Sequence, residues 1–282
     1  MSRVIRRGLV DVVAATLATV ALAGTASSAS ADVDATAPTL ALPAYPSFVV
    51  GTTVTASDKL DTGEFSDYND YTYGIAQQVT WSAADASGVC SQAVAETGTG
   101  YDFGSTAVDA PAYRYSADDY DDSYGGGMGV SGVDVTVRDC AGNETVGHSG
   151  GQPAVYDERV VTNRYGTLSY SGTWSTVVRK GTSGGSTKGT YGMGNKATFT
   201  RTYRDGEHVA LVMPKGPQRG KAAILVDGVR VATVDTYAAT RTDRVVVWER
   251  ALTAGAHKVS VVNLATSGRP RVDLDAILVQ PN

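Results

Sequence analysis

Several groups of side chains in this 282-residue chain are of types that could do chemistry. Lys215, Arg219 and Lys221 fall within the heptapeptide Lys-Gly-Pro-Gln-Arg-Gly-Lys. Such cations suit phosphate, carboxylate or sugar hydroxyls. A phosphate cradle needs Ser or Thr after Gly-Lys and then a helix. Here Ala222 follows, and both flanks read as strands. Two readings remain open. Gly216, Pro217 and Gly220 could shape a turn whose cations simply stay solvated. Alternatively, Lys215 and Arg219 donate hydrogen bonds to a ligand, with Arg219 offering the fork that carboxylates accept in bidentate fashion. Sugars stack their C–H faces on aromatic rings, with polar groups fixing orientation. Trp174, Tyr191 and Tyr237 are candidate platforms, whereas Trp248 alternates with Val246 and reads as core. The predicted ligand-binding set is Trp174, Lys215, Arg219, Tyr237 and Arg241.

Other motifs carry less. Gly147-His-Ser-Gly-Gly151 fits G-x-S-x-G, but a nucleophile elbow needs a strand, a sharp turn and a helix. Pro153 follows at once and no helical periodicity appears, so the stretch reads as a Gly-rich linker. No catalytic residue is expected, and the chain is read as a non-enzyme. The three histidines, His148, His208 and His257, are not spaced as zinc ligands, nor are two cysteines 50 residues apart. Asp118, Asp119, Asp121 and Asp122 are dense enough in oxygen to suggest Ca²⁺, but they lack the spacing of a calcium loop and read first as a solvated run. No other cofactor is expected.

The ends and the charges frame these groups. Residues 1–31 combine a basic start, an apolar stretch too short to span a bilayer and Ala29-Ser-Ala31, the pattern of a removable secretory signal. No membrane span is expected after it, and the mature chain is read as secreted. An oxidising compartment favours a Cys90–Cys140 disulfide over two free buried thiols. Residues 32–153 hold 18 acidic against 3 basic side chains, a net of −15, and residues 154–282 hold 10 against 18, a net of +8. Each half is of ordinary domain size. Scattered cations beside so acidic a half argue against nucleic acid as a partner.

The elements that must position these groups are strands. Short apolar runs alternate and are broken by Gly, Asp and Asn, which predicts an all-β chain of sandwiches. Val133, Val135 and Val137 share one strand face. The stretches 58–73 and 96–129 are rich in Asp and predict long surface loops. Val226-Asp-Gly-Val229 predicts a two-residue hairpin.

Two resemblances follow from these landmarks. Trp81-Ser-Ala-Ala-Asp-Ala-Ser-Gly-Val89 and Val135-Thr-Val-Arg-Asp-Cys-Ala-Gly-Asn143 resemble bacterial extracellular immunoglobulin-like repeats. Residues 168–279 resemble the galactose-binding-like, carbohydrate-binding-module-like domains of secreted bacterial proteins. The landmarks are Tyr170-Ser-Gly-Thr-Trp174, Gly216-Pro-Gln-Arg-Gly-Lys-Ala222, Val226-Asp-Gly228, Val234-Asp-Thr-Tyr237 and Val272-Asp-Leu-Asp-Ala276. Relatives often carry Trp where this chain has Leu211-Val-Met213. The resemblance implies an immunoglobulin-like sandwich followed by a jelly roll that binds polysaccharide or cell-wall glycan. The alternative is a structural or adhesive surface protein without sugar specificity. Its opposed charges would drive weak, salt-sensitive self-association.

Overall fold

The computed structural model describes residues 34–56, 73–99, 104–119, 129–151, 153–159, 162–163 and 166–280. The expected signal segment, residues 58–72 and the Asp121–Asp122 pair lie outside the described residues.

Among the described residues, ten strands precede residue 151. They are β1 (Thr39–Ala41), β2 (Ser47–Phe48), β3 (Thr55–Ala56), β4 (Tyr73–Thr80) and β5 (Ser82–Ala84). Next come β6 (Val89–Thr99), β7 (Ser105–Ala107), β8 (Ala112–Asp119), β9 (Gly129–Asp139) and β10 (Glu144–Gly150). One sheet runs β10-β9-β6-β7, and β4 centres another by pairing with β2, β3 and β8. Val79, Trp81, Val94, Tyr115, Val133, Val135 and Val137 fill the space between them. The valines that alternate along β9 all point into this core.

One expectation fails here. The stretch 96–129 is not one long loop, because β8 pairs with β4 from Ala112↔Thr80 to Asp119↔Tyr73. Tyr115 and Ala117 are buried. The aspartates at its end masked a plain alternation, since strand formation follows the buried face rather than average propensity.

Thirteen strands follow. They are β11 (Ala154–Asp157), β12 (Thr162–Asn163), β13 (Gly166–Ser171), β14 (Ser175–Val178), β15 (Ser186–Thr190), β16 (Lys196–Tyr203) and β17 (His208–Lys215). The remainder are β18 (Lys221–Val226), β19 (Val229–Asp235), β20 (Thr242–Ala251), β21 (Gly255–Asn263), β22 (Val272–Leu274) and β23 (Ala276–Val279). They build the sheets β11-β23-β17-β20, β12-β13-β16-β21-β18-β19 and β14-β15-β22 around one core. The β18–β19 hairpin turns through Asp227 (φ 52°) and Gly228 (φ 82°), the positive-φ pair that the sequence predicts. Trp248 is buried in the core, as its alternation implied.

The β17 run Val209-Ala-Leu-Val-Met213 is apolar without alternation because both of its faces are covered. Val209, Leu211 and Met213 face the inner core. Ala210 and Val212, with Val246, Ala276 and Leu278, meet Phe48, Val54 and Ile75 of the first half. Backbone bonds reinforce this seam: Val54 N donates to Arg244 O (2.9 Å) and Val246 N to Thr52 O (2.9 Å).

Candidate functional site

The strand registers gather several loops at one end of the second sandwich. Lys215 pairs with Thr242, Lys221 with Asp235, Ala222 with Asn263, Lys196 with Val262 and Thr190 with Val272. The connections 191–195, 216–220, 236–241 and 264–271 therefore share that end. Loop 216–220 is laced to the next by Gly216 N donating to Thr236 O (2.9 Å) and Gly220 N donating to Arg271 O (2.8 Å). Gly220 is required by space: a Cβ there would sit 2.1 Å from the Arg269 carbonyl oxygen.

Arg219 turns inward and is only 4% exposed. Its Nε lies 2.9 Å from Oδ2 of Asp273, which is fully buried. Asp273 also accepts the fork of Arg271, from Nε (3.0 Å) and Nη2 (2.6 Å). The carboxylate is squared to Arg271, so Arg219 has the charge contact without an aligned hydrogen bond, and its Nε and Nη2 are buried without hydrogen-bond partners. Burial pulls the Arg219 guanidinium below its ordinary range, against the pull of Asp273. Arg271 is held above its range, where the Asp273 contacts outweigh burial.

Two exposed tyrosines frame this pair. The Arg271 guanidinium lies 5.7 Å from the ring centroid of Tyr191, which is 60% exposed. The Arg269 guanidinium lies 4.6 Å from the ring of Tyr237, which is 47% exposed. Arg269 is itself fixed by Asp235 Oδ1 (3.0 Å) and by the Arg219 carbonyl (2.9 Å). Cation–π contact orients each ring while leaving apolar surface in water. Residues 269 and 271, two apart in the chain, thus hold one tyrosine each.

The predicted ligand residues separate. Tyr237 stands on the platform. Arg219 is buried beneath it, and Arg241, beside Gly216, is committed to Asp243 Oδ1 (2.6 Å). Lys215 ends β17 half-buried. Trp174 packs half-buried on Tyr170 (5.2 Å between centroids), and its Nε1 donates to Ser171 O. Sequence reasoning gave no role to Arg269, Arg271 or Asp273. Their signal was the alternation Arg269-Pro-Arg-Val-Asp273, in which charges two apart share one side of an extended segment.

Elsewhere, Ser149 lies within β10, buried and without a partner, so the strand–turn–helix context of an elbow is missing. His148 points the other way, to Asp134 (2.7 Å). Cys90 and Cys140 are disulfide-bonded. Asp34, Asp85 and Asp139 bring carboxylate oxygens within 4.8 Å of one another, a grouping that could hold a cation. Burial raises Asp139, but hydrogen bonds from Asn143 win and hold it below the usual carboxylate range. The Asp118–Asp122 run proposed for Ca²⁺ is described only through the backbone of Asp118 and Asp119.

A second acidic group is buried under β11 and β23. Glu158 accepts a short bond from Ser186 Oγ, and Asp275 accepts from Ser183 N (2.8 Å). The other oxygens, Glu158 Oε2 and Asp275 Oδ2, have no partner. Burial pushes Glu158 up to about 7 and Asp275 well above its ordinary value. Both carboxyls hold protons in the folded state that the unfolded chain releases near pH 4. Their contribution to stability is therefore complete below that pH and fades as pH rises through about 7 for Glu158. In EDTA, the wild-type melting temperature should fall by several degrees between about pH 5 and pH 8, and Glu158→Gln/Asp275→Asn should flatten that fall. Parallel pH profiles for the two proteins would refute this.

No family model matches the chain, nor does any curated protein. Among solved structures it is similar to a CBM36 domain of a multidomain xylanase from the hindgut metagenome of Trinervitermes trinervoides. The identity is 13% and the TM-score 0.32, over 46% of this chain and 98% of that one. It is also similar to the Podospora anserina GH26-CBM35 β-(1,4)-mannanase (18%, TM-score 0.33, 47% and 28% covered). A third is an exo-β-1,3-galactanase of Phanerochaete chrysosporium (15%, TM-score 0.36, 82% and 57% covered).

Proposed function

We propose that this is an exported, non-catalytic protein that binds carbohydrate through the loop end of its second sandwich, a galactose-binding-like jelly roll, with an immunoglobulin-like first sandwich as its carrier. The observation that carries this reading is the pair Tyr191 and Tyr237, exposed yet each held in place by an arginine of the segment 269–271. An ordered aromatic face in water loses little conformational entropy when a pyranose stacks on it. Arg219 and Asp273 contribute by fixing that segment from beneath. They do not touch ligand.

Affinity electrophoresis of the full chain in gels containing xylan, mannan, β-1,3-glucan or galactan tests the reading. Retention on at least one neutral polysaccharide is expected. Tyr191→Ala and Tyr237→Ala should each weaken it about tenfold, and Trp174→Ala should leave it in place. No retention of the wild type on any polysaccharide would end the proposal.

A further inference from the structure

The second sandwich has two broad sheet faces turned away from its own core. The first half covers one of them. The other is the outer face of β12-β13-β16-β21-β18-β19. Leu168, Phe199, Val259, Val261 and Ile224 point inward, so their neighbours along each strand point outward.

The outward residues are mainly hydroxyls, small apolar groups and cations. Ser169 faces Thr198 across the β13–β16 pairing, and Thr198 faces Ser260 across β16–β21, where their hydroxyls meet at 2.9 Å. Ser260 and Ala223 are only 6% and 4% exposed although they point outward. Both are small, and longer side chains on the same face cover them. Lys196, Lys258 and Arg230 stand exposed around them. No ion pair engages these three among the described residues. Lys196 pairs in register with Val262, which places Lys258 four residues, roughly 13 Å, along the neighbouring strand. Arg230 pairs with Leu225, which faces Ser260, about 10 Å to the side. The nearest carboxylates sit at the margins and are occupied. Asp227 is bonded to His257 and to Lys258 N, and Asp235 to Arg269.

We propose that this sheet face binds an acidic polysaccharide, an extended chain bearing carboxylate or sulfate groups. Exposed cations around a hydroxyl-lined floor complement acid groups separated by sugar hydroxyls, although Arg230 also donates to Thr233 Oγ1 (3.1 Å) and Lys258 lies in the field of Asp227. Among the described residues, the floor carries neither the large aromatic anchors that protein interfaces use nor a ring on which nucleic-acid bases could stack. The site lies on the sheet face and meets the loop end at Lys196, but its cations do not include the tyrosines or the arginines that hold them.

The test uses the full chain with polygalacturonate as the carboxylate probe, heparin as the sulfate probe and neutral xylan. Binding of at least one polyanion is expected at about 50 mM NaCl, weakening severalfold by about 300 mM as exposed charges are screened. Lys196→Gln/Lys258→Gln/Arg230→Gln should reduce polyanion affinity by about tenfold or more. Its residues are exposed, and an unchanged melting temperature would confirm its fold. Tyr191→Ala/Tyr237→Ala should leave polyanion binding intact. The proposal is overturned if the wild type binds neither polyanion, if the triple variant binds as tightly, or if the tyrosine variant abolishes binding. Low-salt self-association that the triple variant removes would instead make the sheet face a contact between copies, and would equally overturn the proposal.

Discussion

Asp273→Ala should destabilise the protein by about 3–5 kcal/mol, because it strands guanidinium groups in a low-dielectric interior. Arg219 is almost wholly buried and already lacks aligned hydrogen bonds. Arg271 would lose its fork partner as well. Urea unfolding of the full chain measures the loss. The triple variant Arg219→Met/Arg271→Met/Asp273→Leu should recover a large part of it, since apolar replacement of a buried ion triad is often close to neutral. If Asp273→Ala costs under about 1 kcal/mol, the pair is not the clamp described here. Asp273→Ala should also weaken glycan retention, because Arg271 would no longer be fixed behind Tyr191.

Removing the disulfide should have a comparable effect. Cys90 and Cys140 close a 50-residue loop, for which the chain-entropy account gives about 4 kcal/mol. Cys90→Ala/Cys140→Ala should therefore lower the urea midpoint markedly, and dithiothreitol should do the same to the wild type but not to the variant. Equal midpoints with and without reductant would refute the expectation. Cys90 lies at the start of β6 and Cys140 just past β9, so the bridge locks one end of two adjacent paired strands.

The all-β architecture was legible because alternation is a local property. Val133, Val135 and Val137 announce a face on their own, and Asp227-Gly228 announces its turn. The platform was legible only in part. Tyr237 could be named because an aromatic after a strand end, beside small residues, invites exposure. Arg219 drew attention by its charge, yet its side chain points inward, and the direction depends on Asp273, 54 residues later. That pairing arises because the backbone at Arg219 bridges the backbone at Arg271, which no spacing reveals. β8 was missed because its terminal aspartates dominate the composition while its pairing with β4 is non-local. The unbroken apolar run Leu211-Val-Met213 follows from a strand covered on both sides, a property of the packing and not of the local pattern.

That doubly covered strand has a mechanical consequence. Phe48, Val54 and Ile75 are buried against Ala210, Val212 and Leu278, and residues 52–54 hydrogen-bond along β20. The two halves thus meet as a strut rather than a hinge. A pull applied at the tyrosine loops would reach the amino-terminal half through this packed seam. Severing the chain between the halves would leave a sheet face that water cannot satisfy, so binding is a property to be measured on the whole chain.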